Sequence, residues 1–467
     1  MLIESKFDFK PLLALIAVNL IYLFLIIIDA VEAVFSVWII FLFLSLLPLM
    51  IKDNKNIIVI IVFLMPLEIS KTFIPFLQTI EVTEGFYNSV FDLARLFMLY
   101  SFIVWFLKDR RSLIPVIRNK ISYLLLTYIV FYLLSALIIS PDMSKGLIEA
   151  FRYLIYFMLF TMVGQFVEKP EDFKYILKAL ILIGVILSIV GILEYVFDYH
   201  VWDPRIWEDK GRRAAATYFD PNIFARFLNI VICTSLILRL KKIYIIKPQY
   251  LDIALLLSSI ALFFTVSRQG IFILFATIFI ISFFLEKKQR NAIWIGMAAI
   301  SIVVIPVFIY LMSLRDQGLA FYDIGTRAGL ILGGVLMFIS SPIYGVGAGG
   351  FQTIMIDRYL DYLPWGIHSA TLSHTDIVTV LAELGIIGLT LLLLLFYFMY
   401  KQFKRNYSIT DNNLKAYALI VLSGLIIVII GAQAEGRFFS EPLLWLFLGL
   451  GMAIEKINKK RNEEKKT

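Results

Sequence analysis

The chain has 467 residues, of which 60% are hydrophobic and 17% charged, against about 25% charged in a water-soluble domain. That balance excludes a soluble enzyme, and a single cysteine, Cys233, set inside an apolar run, excludes disulfides and cysteine-based metal sites. The formal net charge of +8 does not point to nucleic acid, because the Lys and Arg are spread over short connections where the positive-inside rule expects them.

Apolar runs long enough to cross ~30 Å of hydrocarbon recur from end to end. They fall at residues 12–28, 33–51, 57–77, 89–107, 121–139, 147–167, 175–197, 222–238, 250–266, 270–285, 292–312, 376–400, 416–434 and 438–454. Only helices satisfy their backbone within one such run. The pattern therefore predicts an all-α, polytopic membrane protein with about 12–14 transmembrane helices, a single integral membrane domain over 1–467. The first run is followed by Asp29, Glu32 and another span, so it reads as a span rather than a cleavable signal. Glu68 and Lys71 interrupt the third span, and Glu441 and Pro442 the last.

Orientation follows from the loops. Lys108, Arg110, Arg111, Arg118 and Lys120 form one basic cluster, and Arg239, Lys241, Lys242 and Lys247 a second. Lys287, Lys288 and Arg290 form a third, and Lys401, Lys404, Arg405 and Lys415 a fourth. Threading puts all four on one side with Lys6, Lys10 and the basic tail at 455–467, which makes both termini cytoplasmic. The tail reads as disordered. Residues 198–221 and 313–375 then lie outside, with the short turns at 267–269 and 435–437. Connections this long usually carry function. The larger, a periplasmic or extracellular loop, is expected to hold helices of its own, one over 326–340, ended by Ser341-Pro342 and the glycine-rich run at 345–350.

Ionisable groups inside spans are costly, so their depth is informative. Asp92, Arg95, Glu149, Arg152, Glu194, Arg226 and Glu383 all fall in the outer half, with Lys178 the inner exception. The outer connections add Arg205, Arg212, Arg213, Arg268, Arg315, Arg327, Arg358 and Arg437 but few lysines. Arginine offers a planar fork that matches phosphate oxygens and stays charged, as a lipid diphosphate would need. A plainer reading applies to some: Asp92/Arg95 and Glu149/Arg152 are i,i+3 pairs that neutralise each other, and Arg205 and Arg358 have acidic neighbours. Arg268, in a very short turn between two spans, has no acidic neighbour in sequence.

The histidines are His200, His368 and His374; the last two are spaced i,i+6, not the i,i+4 of a helical metal pair. No Asp-x-Asp motif suited to a nucleotide-sugar's divalent ion occurs, so neither metal nor cofactor is expected. His374 suits a general base, since an imidazole of pKa ~6.5 accepts a proton at neutral pH; the structural alternative is a residue anchoring the next helix.

Ser373-His374-Thr375, nine residues on from which come Gly385 and Gly388, resembles the His-(polar)-x9-Gly-x-x-Gly signature of the O-antigen ligase family, with Thr375 where Asn, Ser or Gln is usual. Arg212/Arg213 through Thr217 to Asp220-Pro221-Asn222 and Ala225 resembles the family's Arg…Pro-Asn segment. Residues 265–270 resemble its Ser-Arg-Gly turn, and Arg327 followed by Ser341-Pro342, Gly345, Gly347 and Phe351 resembles its large periplasmic loop. The similarity spans about residues 190–400 in the expected order.

This resemblance implies a metal-independent, inverting glycosyltransferase in the cytoplasmic (inner) membrane, its active site facing the periplasm or exterior. The donor would be a glycan on undecaprenyl diphosphate and the acceptor a hydroxyl of another glycan or of lipid A-core, with membrane lipid as surroundings and no nucleic acid as partner. Arg268 and Arg327, with Arg212 or Arg213, would bind the departing diphosphate, and His374 would take the acceptor proton. Polymerisation of exopolysaccharide or O-antigen is the alternative inside the family. A transporter of an anion or lipid-linked oligosaccharide is the alternative outside it, although no repeated halves of the transporter kind are visible.

Overall fold

A computed structural model describes residues 46–48, 51–67, 81–83, 86–87, 92–109, 111, 113–198, 213–218, 220–313, 317–363, 373–409, 411–436 and 438–464. The expected span at 12–28 and most of that at 33–51 lie outside these residues, as do Asp29, Glu32, His200, Arg205, Arg212, Arg315, His368 and Arg437.

The helices are α1 (Asn54–Leu64), α2 (Leu93–Asp109), α3 (Leu113–Ile117), α4 (Lys120–Ile138), α5 (Met143–Phe166), α6 (Pro170–Phe197), α7 (Pro221–Leu240) and α8 (Pro248–Phe264). After these come α9 (Arg268–Ser282), α10 (Lys287–Ser313), α11 (Gln317–Ser340), α12 (Phe351–Tyr359), α13 (Asp376–Tyr407), α14 (Asn412–Glu435) and α15 (Pro442–Glu464). Two short strands, β1 (Glu81–Thr83) and β2 (Phe86–Tyr87), pair antiparallel. The protein is an all-α polytopic membrane protein: α4, α5, α6, α7, α13 and α14 are each long and apolar enough to cross a bilayer by length and composition.

Helix starts follow the local chemistry. Asn119, Asp142, Asp220, Ser267 and Asp411 each accept a backbone N–H of the first turn through the side chain, satisfying donors that a helix start leaves open. Proline opens α6, α7, α8 and α15, where its missing N–H costs nothing. Each expected span within the described residues from 89 onward overlaps a helix. In the third, the helix ends at Leu64 with Pro66 in the turn that follows, and residues 68–77 lie outside the described residues. The tail also differs from expectation. Residues 455–464 continue α15 as helix rather than forming a disordered segment. Arg405 pairs with Glu455, Arg461 with Asp411, and Lys456 Nζ donates to the Gln165 carbonyl, so the extension is tied to the bundle.

The helices alternate in direction, which gives the bundle two chemically different ends. One end gathers the basic connections: Gln289 Nε2 donates to the Leu240 carbonyl at 2.9 Å and Tyr407 Oη to the Phe284 carbonyl at 2.5 Å. At the other end lie the start of α5, α7, α9, α13 and α15 and the close of α4, α6, α8 and α14. Between them the core is dense. Phe173 and Tyr417 stack at 4.9 Å, and Trp445 is fully buried with its Nε1 on the Phe439 carbonyl at 2.8 Å. A smaller apolar cluster joins α11, α12 and α13 through Leu330, Met337, Phe351, Met355 and Ala382.

The 342–350 segment shows why its glycines are needed. α13 is broken at Gly385 (φ 61°, ψ −156°), a backbone region essentially open to glycine alone. The break frees backbone groups, and the turn supplies their partners: Val346 N–H to the Ala382 carbonyl at 2.8 Å, Gly347 N–H to the Glu383 carbonyl at 3.0 Å, and Ile386 N–H to the Pro342 carbonyl at 2.9 Å. The same turn touches the last turn of α4, where Ala348 N–H donates to Ser135 Oγ at 3.1 Å.

Candidate functional site

Two connections and helix α11 bring expected site residues to the non-basic end. The first joins α8 to α9. Val266 has a left-handed backbone (φ 48°), and Ser267 Oγ caps α9 by accepting the Gly270 N–H at 3.0 Å. Asn222, in the first turn of α7, holds this connection: its Oδ1 accepts from Ser267 Oγ at 2.7 Å and from Arg213 Nη2 at 3.1 Å. Arg213 Nε donates to the Thr265 carbonyl at 2.8 Å. The buried Glu194 carboxylate accepts the N–H groups of Ala215 and Ala216 at 2.8 and 2.7 Å, steadying the left-handed Ala216. Arg213 is therefore built into the scaffold. Arg268 is exposed and makes no ion pair or side-chain hydrogen bond among the described residues.

The second connection precedes α13. Ser373 is fully buried; its Oγ accepts the Thr375 N–H at 3.1 Å and lies 2.8 Å from Thr379 Oγ1. His374 is half-buried with φ 57°, a conformation that a non-glycine residue keeps only where its surroundings over-determine it. Thr375 Oγ1 donates to the Gln433 carbonyl at 3.4 Å, and Asp376 Oδ2 accepts the Phe438 N–H at 2.9 Å.

These two turns share one mount. Gln269, next to Arg268, donates through Nε2 to the Gly431 carbonyl at 2.9 Å, while Thr375, next to His374, reaches Gln433. Positions two apart on a helix differ by about 3 Å in height, so both turns sit over the same end of α14.

Arg327 comes from α11, which runs beside α13 in the same direction. Gly334 faces Val378, and Pro342 faces Ile386 at the same sequence offset. Arg327 lies seven residues before Gly334, on nearly the same helix face and about 10 Å further out. His374 lies four residues before Val378, about 6 Å further out at helical rise. Arg327 is exposed and, like Arg268, makes no ion pair among the described residues. Arg268, Arg327 and His374 are thus brought to one end of the bundle, Arg213 braces the turn beneath Arg268, and Arg212 lies outside the described residues.

The charges buried nearby act as anchors, and sequence reasoning did not assign them that part. Arg226 Nη1 pairs with Glu441 Oε2 at 2.8 Å, tying α7 to α15. Glu383 accepts the Phe351 N–H through Oε1 at 3.2 Å, fixing the start of α12 to α13. Glu149 pairs with Arg152 and accepts from Ser440 Oγ at 3.2 Å, and Arg95 pairs with Asp92 at 2.8 Å. The i,i+3 spacing foretold the last two pairs. The long-range pairs left only one signal, an ionisable residue inside an apolar run.

The stretch that supplies Arg268, Arg327 and His374 is also the stretch with a family likeness. Residues 253–393 match the family model described as Wzy_C: O-Antigen ligase. The matched stretch runs from α8 past the break in α13, taking in Gly385 and Gly388 and leaving Arg212, Arg213 and the Asn222 brace before its start. No curated protein matches the chain. The domain supports an integral membrane glycosyltransferase of the O-antigen ligase and polymerase type, a class that handles lipid-linked glycans and polysaccharide acceptors.

Proposed function

We propose that the chain is a metal-independent, inverting transferase of O-antigen ligase type, moving a glycan from undecaprenyl diphosphate to an acceptor hydroxyl. The basic end faces the cytoplasm, and the site faces the periplasm or exterior. One observation carries this reading: the Arg268 and His374 turns are both hydrogen-bonded to the closing turns of α14, at Gly431 and Gln433. A phosphate-matching cation and a proton acceptor are thereby held at the end opposite the basic loops.

In the reaction, His374 takes the proton of the acceptor hydroxyl as its oxygen attacks the anomeric carbon from the face opposite the diphosphate. The bond from that carbon to the diphosphate oxygen breaks, and undecaprenyl diphosphate leaves with the electron pair. Arg268 and Arg327 pair with the phosphate oxygens, an interaction that strengthens as charge gathers on the leaving group and so favours the transition state over the bound donor. Arg213 keeps the Arg268 turn in place.

The test is single-turnover product formation, with donor binding measured separately, on folded protein in chelator. His374→Ala is expected to lose about 10²–10⁴-fold in rate with donor binding retained, and Arg268→Lys to be severely impaired because a point charge cannot reproduce two-pronged pairing. Near-normal transfer by His374→Ala would remove the base assignment, and a saturable requirement for Mg²⁺ or Mn²⁺ would remove the metal-free mechanism. Offering lipid A-core and lipid-linked repeat as alternative acceptors separates ligase from polymerase.

A further inference from the structure

We infer that Asp376 is a positioning residue that fixes the His374 turn against the connection between α14 and α15; the inference rests on the reading of His374 as the base. A left-handed residue such as His374 (φ 57°) costs on the order of 1–3 kcal/mol and persists only where neighbours hold it. The Ser373 contacts to Thr375 and Thr379 are local and cannot set where the turn lies in the bundle. Beyond the turn, Thr375 reaches the Gln433 carbonyl at 3.4 Å, and Asp376 accepts the Phe438 N–H at 2.9 Å. The second is the stronger, since it is 0.5 Å shorter and a buried peptide N–H left without an acceptor is costly.

The partner of Asp376 is itself immobilised. Phe439 stacks on Tyr128 at 4.0 Å, and its carbonyl accepts Trp445 Nε1. Ser440 donates to Glu149, and Glu441 pairs with Arg226. Three helices, α4, α5 and α7, therefore clamp residues 438–441, and Asp376 transmits that position to His374 two residues away. The bond needs an oxygen at the Asp376 Oδ2 position, not a charge, because its donor is a neutral peptide N–H.

This distinction gives the experiment. Full-length protein is assayed with an undecaprenyl-diphosphate-linked glycan and a hydroxyl acceptor, in wild type and in Asp376→Asn, Asp376→Glu, Asp376→Ala and His374→Ala. Asp376→Asn keeps a short acceptor and is expected to hold kcat within about fivefold, whereas Asp376→Glu keeps the charge but pushes the oxygen about one bond length outward. Asp376→Glu and Asp376→Ala are expected to lose about 10–100-fold in kcat, the scale of an ångström's misplacement, with donor KM within about threefold. Should Asp376→Ala fail to fold, the order of Asn and Glu decides alone. Glu more active than Asn, Ala at the wild-type rate, or a loss confined to KM would each overturn the inference. His374→Ala separates the two claims. If it transfers normally, the base reading falls; if it is inactive while Asp376→Ala is normal, only the positioning of His374 by Asp376 falls.

Discussion

Replacing Gly385 by alanine tests whether the break in α13 is as tightly specified as its geometry implies. A Cβ there would lie 2.5 Å from the Ile343 carbonyl carbon and 2.8 Å from the Gly345 nitrogen, both main-chain atoms. Holding an alanine at φ 61°, ψ −156° costs ~1–3 kcal/mol in backbone strain. Backing the 342–347 turn away forfeits three backbone hydrogen bonds, at ~0.5–1.5 kcal/mol each. The expected loss is about 3–7 kcal/mol, with transfer activity falling in parallel because the broken segment carries the His374 turn. Gly296→Ala in α10 is the control, since a Cβ there meets nothing within 4 Å, and alanine gains up to ~1 kcal/mol in helix propensity. Both variants are compared by equilibrium unfolding in detergent, followed by tryptophan fluorescence. If Gly385→Ala lies within about 0.5 kcal/mol of wild type, the size of an ordinary surface change, the account of the break is wrong.

Two further outcomes follow from the anchors. Arg226→Ala and Glu441→Ala should each destabilise by about 3–5 kcal/mol, since each strands a buried charge, while Arg226→Met with Glu441→Leu should cost much less; unfolding curves that rank the double variant below both singles would refute this. At the basic end, burial acts to raise the Asp411 carboxyl, but the Leu414 N–H, the Arg461 guanidinium and the Asn413 N–H outweigh it and hold it below the ordinary range. A depressed carboxyl stabilises the fold above its unfolded pKa of ~3.9 and loses that contribution as pH falls through the folded value. Wild type should therefore melt higher than Asp411→Asn at pH 7 and converge with it in acid, and a gap independent of pH would count against the assignment.

Apolar runs were enough to place most helices, because each span must close its own hydrogen bonds and does so wherever the run is long enough. The short turn holding Arg268 was also readable, since the apolar runs at 250–266 and 270–285 leave only residues 267–269 between them. What could not be read was any partnership between main-chain groups far apart in sequence. Gly345 and Gly347 look like loop glycines until the carbonyls of Ala382 and Glu383 are seen to need the N–H groups of Val346 and Gly347. Arg213 and Arg268 look alike in sequence, and only the positions of Thr265 and Asn222 separate a brace from an exposed cation. The tail misled for a related reason: its composition is that of a solvated segment, but Asp411 and Gln165 give its charges fixed partners.

The shared mount on α14 also constrains how the site can move. Gly431 and Gln433 belong to one helical end, so a slide of α14 along its axis pulls on the Arg268 and His374 turns together. Arg327 rides on α11, which is fastened instead to α12 and α13 through Met355, Phe351 and Val378. Arg327 is therefore coupled to His374 through the α11–α13 contact, and His374 to Arg268 through α14, so a displacement of either pairing reaches all three residues.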